Sequence, residues 1–203
     1  MYKNSLTALS TVSDIPEIWH DTAIEKFIMA QNMGHTIFAE PRAKVLMSAC
    51  MECRYSIPIP ANFAYVIRTP GGRLTGTELA VGYAISRGVD TLIMVAHNDC
   101  GMTKLTKYKA DIIKALIDQG WNEKEAIQFV EVEQKKLSIE NELETLHDEY
   151  LRLKNLFKKI SIAPLFLILA EQKAYLPKWY EKLLNGNGSQ SAKSKCAVST
   201  KSR

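Results

Sequence analysis

The chain has 203 residues, of which 46% are hydrophobic and 24% are charged, and its formal net charge is +4 at pH 7. This length suits one well-buried domain, and the composition is that of an ordinary globular protein. Four positive charges lie after residue 185 without an acid among them, and their removal leaves residues 1–185 neutral. A neutral folded part lacks the basic face of a nucleic-acid-binding protein, which excludes that class.

Two further classes are excluded by the apolar pattern. No apolar run approaches the roughly 18–20 residues that span a bilayer, and the first residues have no apolar core of the kind found in secretory signals. We therefore expect a cytoplasmic protein with neither a membrane nor a nucleic acid as its partner.

Short apolar runs and helix signals alternate along the chain. In chain order, the predicted elements are a helix over 14–31, strands over 43–49 and 63–68, a helix over 75–87, a strand over 91–96, helical structure from 122 to about 157, a strand over 160–170 and a short amphipathic piece over 176–184. The first helix is predicted to begin at a capping box of Asp14 and Glu17, and the second at a box of Thr75 and Glu78. Gly88 is predicted to end the second helix.

This order of elements predicts an α/β protein. We expect a single domain over residues 1–185, with a mostly parallel central β-sheet flanked by helices and with its functional loops at the strand ends. The remaining residues, 186–203, are rich in Ser, Lys and Gly. They are predicted to form a disordered basic tail in which Cys196 is a free thiol.

Cysteine and histidine side chains follow two of the predicted strands. Cys50 and Cys53 come directly after the strand over 43–49, and His97 and Cys100 come directly after the strand over 91–96. Thiolate sulfur and imidazole nitrogen are the ligands that zinc prefers in tetrahedral sites. If the two strands are parallel neighbours, Cys50, His97 and Cys100 can meet at one edge of the sheet.

The spacing alone leaves the kind of site open. With water as the fourth ligand, the zinc would be catalytic, whereas Cys53 as the fourth ligand would give a closed structural site. A redox pair of Cys50 and Cys53 is a further alternative, which is weakened because a metal-bound Cys50 is not free to form a disulfide.

Three separated motifs resemble those of the β-class carbonic anhydrases. The segments CMECR, IRTPGG and VAHNDCGM occur in this order, with a predicted helix before the last one. The family's corresponding patterns are Cys-x-Asp-Ser-Arg, Arg-Asn-Ala-Gly-Gly and Gly-His-x-x-Cys-Gly. The resemblance extends from about residue 44 to residue 102, and the order of elements is compatible to about residue 184.

The resemblance implies a β-carbonic anhydrase-like fold and a zinc lyase, a carbonate dehydratase. Such an enzyme interconverts carbon dioxide and bicarbonate by zinc-bound hydroxide and assembles as a homodimer or higher homo-oligomer. Carried over to this chain, Cys50, His97 and Cys100 match the Zn²⁺ ligands, and Arg54 matches the arginine of the family's Asp–Arg dyad. Glu52 stands at the aspartate position of that dyad, where the carboxylate accepts a hydrogen bond from the hydroxide.

The chain departs from the family at several positions. Glu52 is one methylene longer than aspartate, which moves its carboxylate by roughly 1.5 Å. Cys53 replaces a serine and adds a soft ligand, Thr69 and Pro70 replace Asn and Ala, and Ala96 replaces the glycine before the histidine. These departures leave two alternative functions open. One is a carbon disulfide or carbonyl sulfide hydrolase on the same scaffold, and the other is a catalytically silent zinc-binding assembly or sensor protein closed by Glu52 or Cys53.

Overall fold

One six-stranded sheet organises the chain, and the computed structural model describes it within residues 2–195; the side chains of Lys3 and of residues 187–195 are left out of the description. The strands are β1 (Leu6–Ala8), β2 (Val45–Cys50), β3 (Ala64–Thr69), β4 (Thr91–His97), β5 (Ser161–Ile168) and β6 (Lys173–Pro177). Their order in the sheet is β1-β6-β5-β4-β2-β3. The four strands β5, β4, β2 and β3 are parallel, and β6 and β1 continue the sheet in antiparallel pairing.

Six helices accompany the sheet. They are α1 (Ala23–Met33), α2 (Glu78–Ser86), α3 (Lys109–Asp118), α4 (Glu123–Leu137), α5 (Glu142–Leu156) and α6 (Lys178–Lys195). The predicted α/β architecture with a mostly parallel sheet is therefore confirmed. No helix in the described part of the chain is both long enough and apolar enough to cross a membrane.

The core lies on both faces of the sheet. All six residues of β2 are buried, as expected for a central parallel strand that is covered on both sides. Alternate side chains of β2 serve the two faces: Met47 packs into one apolar cluster with Phe27 of α1, and Leu46 packs into the other with Val81 of α2 and Leu153 of α5. The buried strand β2 therefore ends at Cys50, at the carboxyl edge of the parallel strands.

The helix predicted over 14–31 is wrong at its start. The structure has two short 3₁₀ turns there, and α1 begins only at Ala23. Asp21 has a φ of +61°, which no helix accommodates. Thr22 follows as the N-cap, and its side-chain oxygen accepts a hydrogen bond from the backbone N–H of Ile24 at 3.2 Å. The predicted box of Asp14 and Glu17 is wrong, because Asp14 is instead the third residue of a capping box whose N-cap is Thr11, at the start of a 3₁₀ turn.

The capping box predicted at Thr75 and Glu78 is also wrong. Helix α2 begins at Glu78, three residues after the predicted cap, and its N-cap Thr77 makes no capping hydrogen bond with its side chain. The Thr77 hydroxyl instead donates to the Leu74 carbonyl at 2.8 Å. The predicted end of this helix agrees with the structure, since Gly88 adopts a φ of +98° directly after it.

The last predicted piece of the chain differs from the structure. The piece predicted over 176–184 is divided between the end of β6 and the start of α6. Helix α6 runs on to Lys195, past residue 185, where the sequence predicts the domain to end and a disordered tail to begin. The domain boundary remains a prediction, and residues 196–203 with Cys196 lie outside the described residues.

Candidate metal centre

Three buried side chains converge at the carboxyl edge of the parallel sheet. Cys50 is the last residue of β2 and His97 is the last residue of β4, and these strands are parallel neighbours in which Ala49 pairs with Val95. The turn after β4 returns Cys100 to the same place. The ligand atoms of Cys50, His97 and Cys100 all lie within 4.8 Å of one another, and the three residues are at most 4% exposed.

The spacing of the two sulfurs fits a tetrahedral metal site. The Sγ atoms of Cys50 and Cys100 are 3.8 Å apart. Two sulfurs that are each about 2.3 Å from a tetrahedral zinc ion lie about 3.8 Å from each other. The two thiols are therefore spaced as ligands of one ion, and as free cysteines they form no disulfide.

The imidazole of His97 is oriented by its neighbour. Its Nδ1 lies 2.9 Å from the carbonyl oxygen of Asn98, a contact that places the ring proton on Nδ1. The Asn98 side chain is itself fixed, because its Oδ1 accepts the backbone N–H of Leu169 at 2.8 Å. The other ring atom of His97, Nε2, is buried and has no hydrogen-bond partner. A buried nitrogen with a free lone pair beside two thiols is the arrangement that a zinc ligand requires.

The hydrogen bond between the two thiols shifts their pKa values in opposite directions. The hydrogen bond with Cys100 lowers the pKa of Cys50, and the nearby His97 and the backbone N–H of Gly71 lower it further. The same hydrogen bond, together with burial, raises the pKa of Cys100. One thiolate is thus already favoured, and a metal ion would displace the remaining proton from Cys100.

A glycine turn supports the backbone of Cys50. Gly72 has a φ of +71°, and a Cβ at this position would lie 3.3 Å from the Cys50 backbone nitrogen and 3.4 Å from the Ala49 carbonyl carbon. Only glycine combines this left-handed conformation with such a close approach. The turn after β3 therefore packs directly on the end of β2.

Glu52 and Arg54 form the pair that the sequence predicts, with a third member. The Arg54 guanidinium donates from Nε to Glu52 Oε1 at 2.9 Å and from a terminal nitrogen to Glu52 Oε2 at 2.6 Å. It also donates to the Asp99 carboxylate at 2.6 Å and to the Asp99 carbonyl at 2.8 Å. These hydrogen bonds to Arg54 lower the pKa of Glu52 to about 2. Glu52 is therefore an oriented carboxylate at every pH of interest.

The position of Asp99 argues against the role of proton acceptor that its place beside the site suggests. Its carboxylate also accepts a hydrogen bond from Lys104. Lys104 first, and then Arg54, lower the pKa of Asp99 to about 2. A carboxylate with such a low pKa is a weak base, and an effective general base has a pKa near the operating pH.

Cys53 lies apart from the three converging side chains. It is exposed, whereas Cys50 and Cys100 are buried. Among the described residues, Cys50, His97 and Cys100 form the one group of three or more His, Cys, Asp and Glu ligand atoms within metal-binding reach. The structure thus brings three donors together, with Glu52 turned toward Arg54 and Cys53 toward solvent.

Two neighbours of the site have no signal in the motifs. Glu142 accepts the backbone N–H of Cys100 at 3.1 Å from a position 42 residues away. Tyr55 is 5% exposed, and its ring centroid lies 5.7 Å from that of His97. Both are typical core or helix-start residues in the sequence, and only the fold shows that they border the site.

Comparisons with known proteins identify the fold. No protein-family model matches the chain, and no curated protein matches it. A search of solved structures finds 52 matching chains. One is a β-carbonic anhydrase (isoform I) from the protozoan Trichomonas vaginalis, with a TM-score of 0.57 and 15% identity over 80% of this chain and 98% of the other.

Two further solved structures extend the comparison. A carbonic anhydrase from Glaciozyma antarctica has a TM-score of 0.54 and 19% identity over 79% of this chain and 98% of the other. A carbon disulfide hydrolase in its apo form has a TM-score of 0.51 and 18% identity over 76% of this chain and 86% of the other. The resemblance predicted from three short motifs is confirmed for the fold, and the chain is a single-domain α/β protein with the β-carbonic anhydrase fold.

Proposed function

We propose that this chain is a zinc enzyme that catalyses the reversible hydration of carbon dioxide to bicarbonate. The observation that carries the proposal is the buried group of Cys50, His97 and Cys100, whose Nε2 atom lacks a partner and whose sulfurs are 3.8 Å apart. This donor set has three protein ligands, which is the number that catalytic zinc sites use. The β-carbonic anhydrase fold supports the same function.

The residues around the site have distinct tasks in this proposal. Cys50, His97 and Cys100 would hold Zn²⁺, and His97 presents its unprotonated Nε2 because its Nδ1 proton points to Asn98. Bound zinc lowers the pKa of a coordinated water to about 7, which makes hydroxide available near neutral pH. Glu52, held by Arg54, would accept a hydrogen bond from the hydroxide and so orient it toward carbon dioxide.

Arg54 fixes Glu52 for this task. Its two hydrogen bonds to Glu52 engage both carboxylate oxygens, and its bonds to Asp99 anchor the guanidinium on the turn that carries Cys100. A bidentate charge-assisted pair restricts the carboxylate more tightly than a single hydrogen bond does. The pair therefore restrains the orientation of the Glu52 carboxylate.

A carbon dioxide hydration assay across pH 6.5–9 tests the proposal. Zinc-loaded protein is expected to be active, and Cys50→Ser is expected to lose both the zinc and the activity. Full zinc occupancy without activity would contradict the proposal and favour a silent zinc-binding assembly or sensor protein.

A second candidate is hydrolysis of carbon disulfide or carbonyl sulfide. The similarity to a carbon disulfide hydrolase, at a TM-score of 0.51, supports it. The same protein preparation, assayed for sulfide release from carbon disulfide, distinguishes the two. Sulfide release with no hydration of carbon dioxide would refute the first candidate function and support the second.

We also propose that the protein works as a cytoplasmic homodimer. Free cysteines at a buried site suit a reducing compartment. Strand β3 is an unprotected sheet edge, and Val66 on it is 43% exposed. Helix α2 adds Leu79, which is 89% exposed, and Tyr83, which is 59% exposed. An apolar surface of this kind favours a contact with a second copy.

A further inference from the structure

Glu142 is a buried carboxylate for which the described residues provide no ion-pair partner. It is the first residue of α5 and is 6% exposed. None of the ion pairs among the described residues includes it, whereas the other buried acid, Glu149, is paired with Arg152. A buried carboxylate is costly unless its oxygens are hydrogen-bonded, so the contacts of Glu142 require an explanation.

Both oxygens of Glu142 are engaged, and one of them holds a candidate metal ligand. Oε1 accepts the backbone N–H of Cys100 at 3.1 Å, and Oε2 accepts the hydroxyl of Tyr2 at 2.6 Å. The Tyr2 ring is held in turn against Phe166, with the ring centroids 5.0 Å apart. Burial, followed by the bond to Glu142, raises the pKa of Tyr2, so its hydroxyl keeps its proton.

The backbone of Cys100 is thereby fixed from two sides. Glu142 holds its N–H, and Thr103 holds its carbonyl through a hydroxyl that donates at 2.7 Å. The residue before it, Asp99, has a φ of +55°, a left-handed conformation that aspartate adopts more readily than most residues other than glycine. The position of the Cys100 sulfur therefore depends on contacts outside the three motifs.

We propose that Glu142 is a positioning residue, oriented by Tyr2, that holds the Cys100 backbone so that its sulfur reaches the metal. This inference rests on the proposed function only in that it takes Cys50, His97 and Cys100 as the zinc ligands. Outer hydrogen-bond partners of metal ligands are generally worth 10- to 100-fold in metal affinity.

The test measures zinc affinity by competition with a chelator, without reference to catalysis. Glu142→Ala removes the acceptor for the Cys100 N–H and is expected to weaken zinc binding by about 10- to 100-fold. Glu142→Gln keeps an amide oxygen for that N–H, and its amide nitrogen can donate to the Tyr2 oxygen. It is therefore expected to restore most of the affinity.

Cobalt-loaded protein gives a second, spectroscopic readout. The absorption bands of thiolate-to-cobalt charge transfer depend on the positions of the two sulfurs. Glu142→Ala is expected to shift these bands, and Glu142→Gln is expected to retain them.

Glu149→Ala is the matched control. Glu149 lies on the same helix, is 5% exposed, and accepts the backbone N–H of Leu74 at 2.7 Å. Its loss should lower the resistance of the metal-free protein to denaturant without shifting the cobalt bands. If Glu142 has a merely structural role, Glu142→Ala will likewise lower the resistance to denaturant and leave the cobalt bands unshifted.

Two outcomes would overturn the proposal. One is a Glu142→Ala protein with wild-type zinc affinity and wild-type cobalt bands, and the other is a Glu142→Gln protein as weak as Glu142→Ala. Failure of the metal centre itself would appear separately, as tight zinc binding by Cys50→Ser.

Discussion

At the scale of single residues, the exchange of aspartate for Glu52 is the decisive departure from the family pattern. The carboxylate is bound at both oxygens by Arg54 and is held as an anion with a pKa of about 2. Its charge and its partner are therefore those that the proposed role requires. The side chain differs from aspartate in its length, because the additional methylene displaces the carboxylate by roughly 1.5 Å.

Glu52→Asp is expected to raise the rate of carbon dioxide hydration. Displacements of about 1 Å can change rates on the order of 10²-fold, so we expect a gain of about 10-fold or more. Stopped-flow hydration assays with zinc content determined on the same samples check this. Loss of all activity with zinc retained would show that the longer carboxylate is the one this site needs.

The Glu52–Arg54 pair also predicts a dependence of stability on pH. A carboxyl whose pKa is lowered from 4.5 to about 2 contributes stability above pH 4.5, and this contribution is lost as the pH falls toward 2. In metal-free protein, Glu52→Gln should lower the free energy of unfolding by about 1 kcal/mol, since Arg54 is half exposed. Denaturant titrations should show this difference unchanged from pH 7 to 5 and vanishing near pH 2. A difference in stability that persists at pH 2 would contradict the assignment of this effect to the Glu52–Arg54 pair. Asp99 is present in both proteins, so its titration cancels in the difference.

At the scale of elements, the site is built where β2, β4 and the Gly71–Gly72 turn meet. The strands deliver Cys50 and His97 in register, and the turn packs on the Cys50 backbone. The turn is therefore part of the site, although it contributes no ligand atom to the group of three.

Gly72→Ala is expected to damage both stability and metal binding. The left-handed conformation costs about 1–2 kcal/mol for an L-residue, and the new Cβ lies within 3.3 Å of the Cys50 backbone nitrogen. The matched control is Gly76→Ala, with a φ of +83° and no atom within 4 Å of its Cβ. Both variants should lose stability in denaturant melts, and only Gly72→Ala should lose zinc affinity. Equal zinc affinities in the two variants would refute the close packing of the turn on the site.

The elements also show how far the sequence leads. Strands β2 and β4 are predictable because each is a continuous apolar run buried on both faces. Helix α3 is absent from the prediction although its apolar residues recur at helical spacing, and in the structure none of its residues is buried. Strand β1 has three residues, fewer than the four to eight over which alternation is informative. Strand β6 has five residues and overlaps the piece predicted over 176–184.

The candidate site divides in the same way. The sequence predicts that Cys50, His97 and Cys100 lie close together, because they follow two predicted strands, and parallel strands end at the same edge of a sheet. Glu142 could not, because its contact with Cys100 depends on how the first turn of α5 docks after two intervening helices. Sequence patterns report local structure, and such contacts are set by packing over long separations.

At the scale of the whole molecule, the faces of the sheet form the apolar core, and the carboxyl edge of the sheet carries the candidate site. Two apolar clusters cover its faces, and the polar residues of the site gather at the carboxyl ends of its central strands. The edge strand β3 and the adjacent helix α2 leave apolar side chains uncovered. One copy thus holds all three ligand atoms by itself, but it leaves an apolar surface exposed that a second copy would cover.

Sedimentation equilibrium should therefore give twice the mass of one chain. Leu79→Asp places a charge at the most exposed of these apolar side chains and is expected to shift the protein toward monomer. Ile18→Asp is the control, because Ile18 is 69% exposed but lies in the turn before α1. A wild-type mass equal to one chain would refute the dimer.

The account's central claim is that Cys50, His97 and Cys100 bind zinc and that Cys53 does not occupy its fourth position. X-ray absorption at the zinc edge, measured on the loaded protein, tests this most directly. We predict two sulfurs at about 2.3 Å, one nitrogen at about 2.0 Å and one further light-atom ligand, with Cys53→Ser giving the same shell. A shell of three sulfurs that loses one in Cys53→Ser would contradict the claim and make the site a closed one.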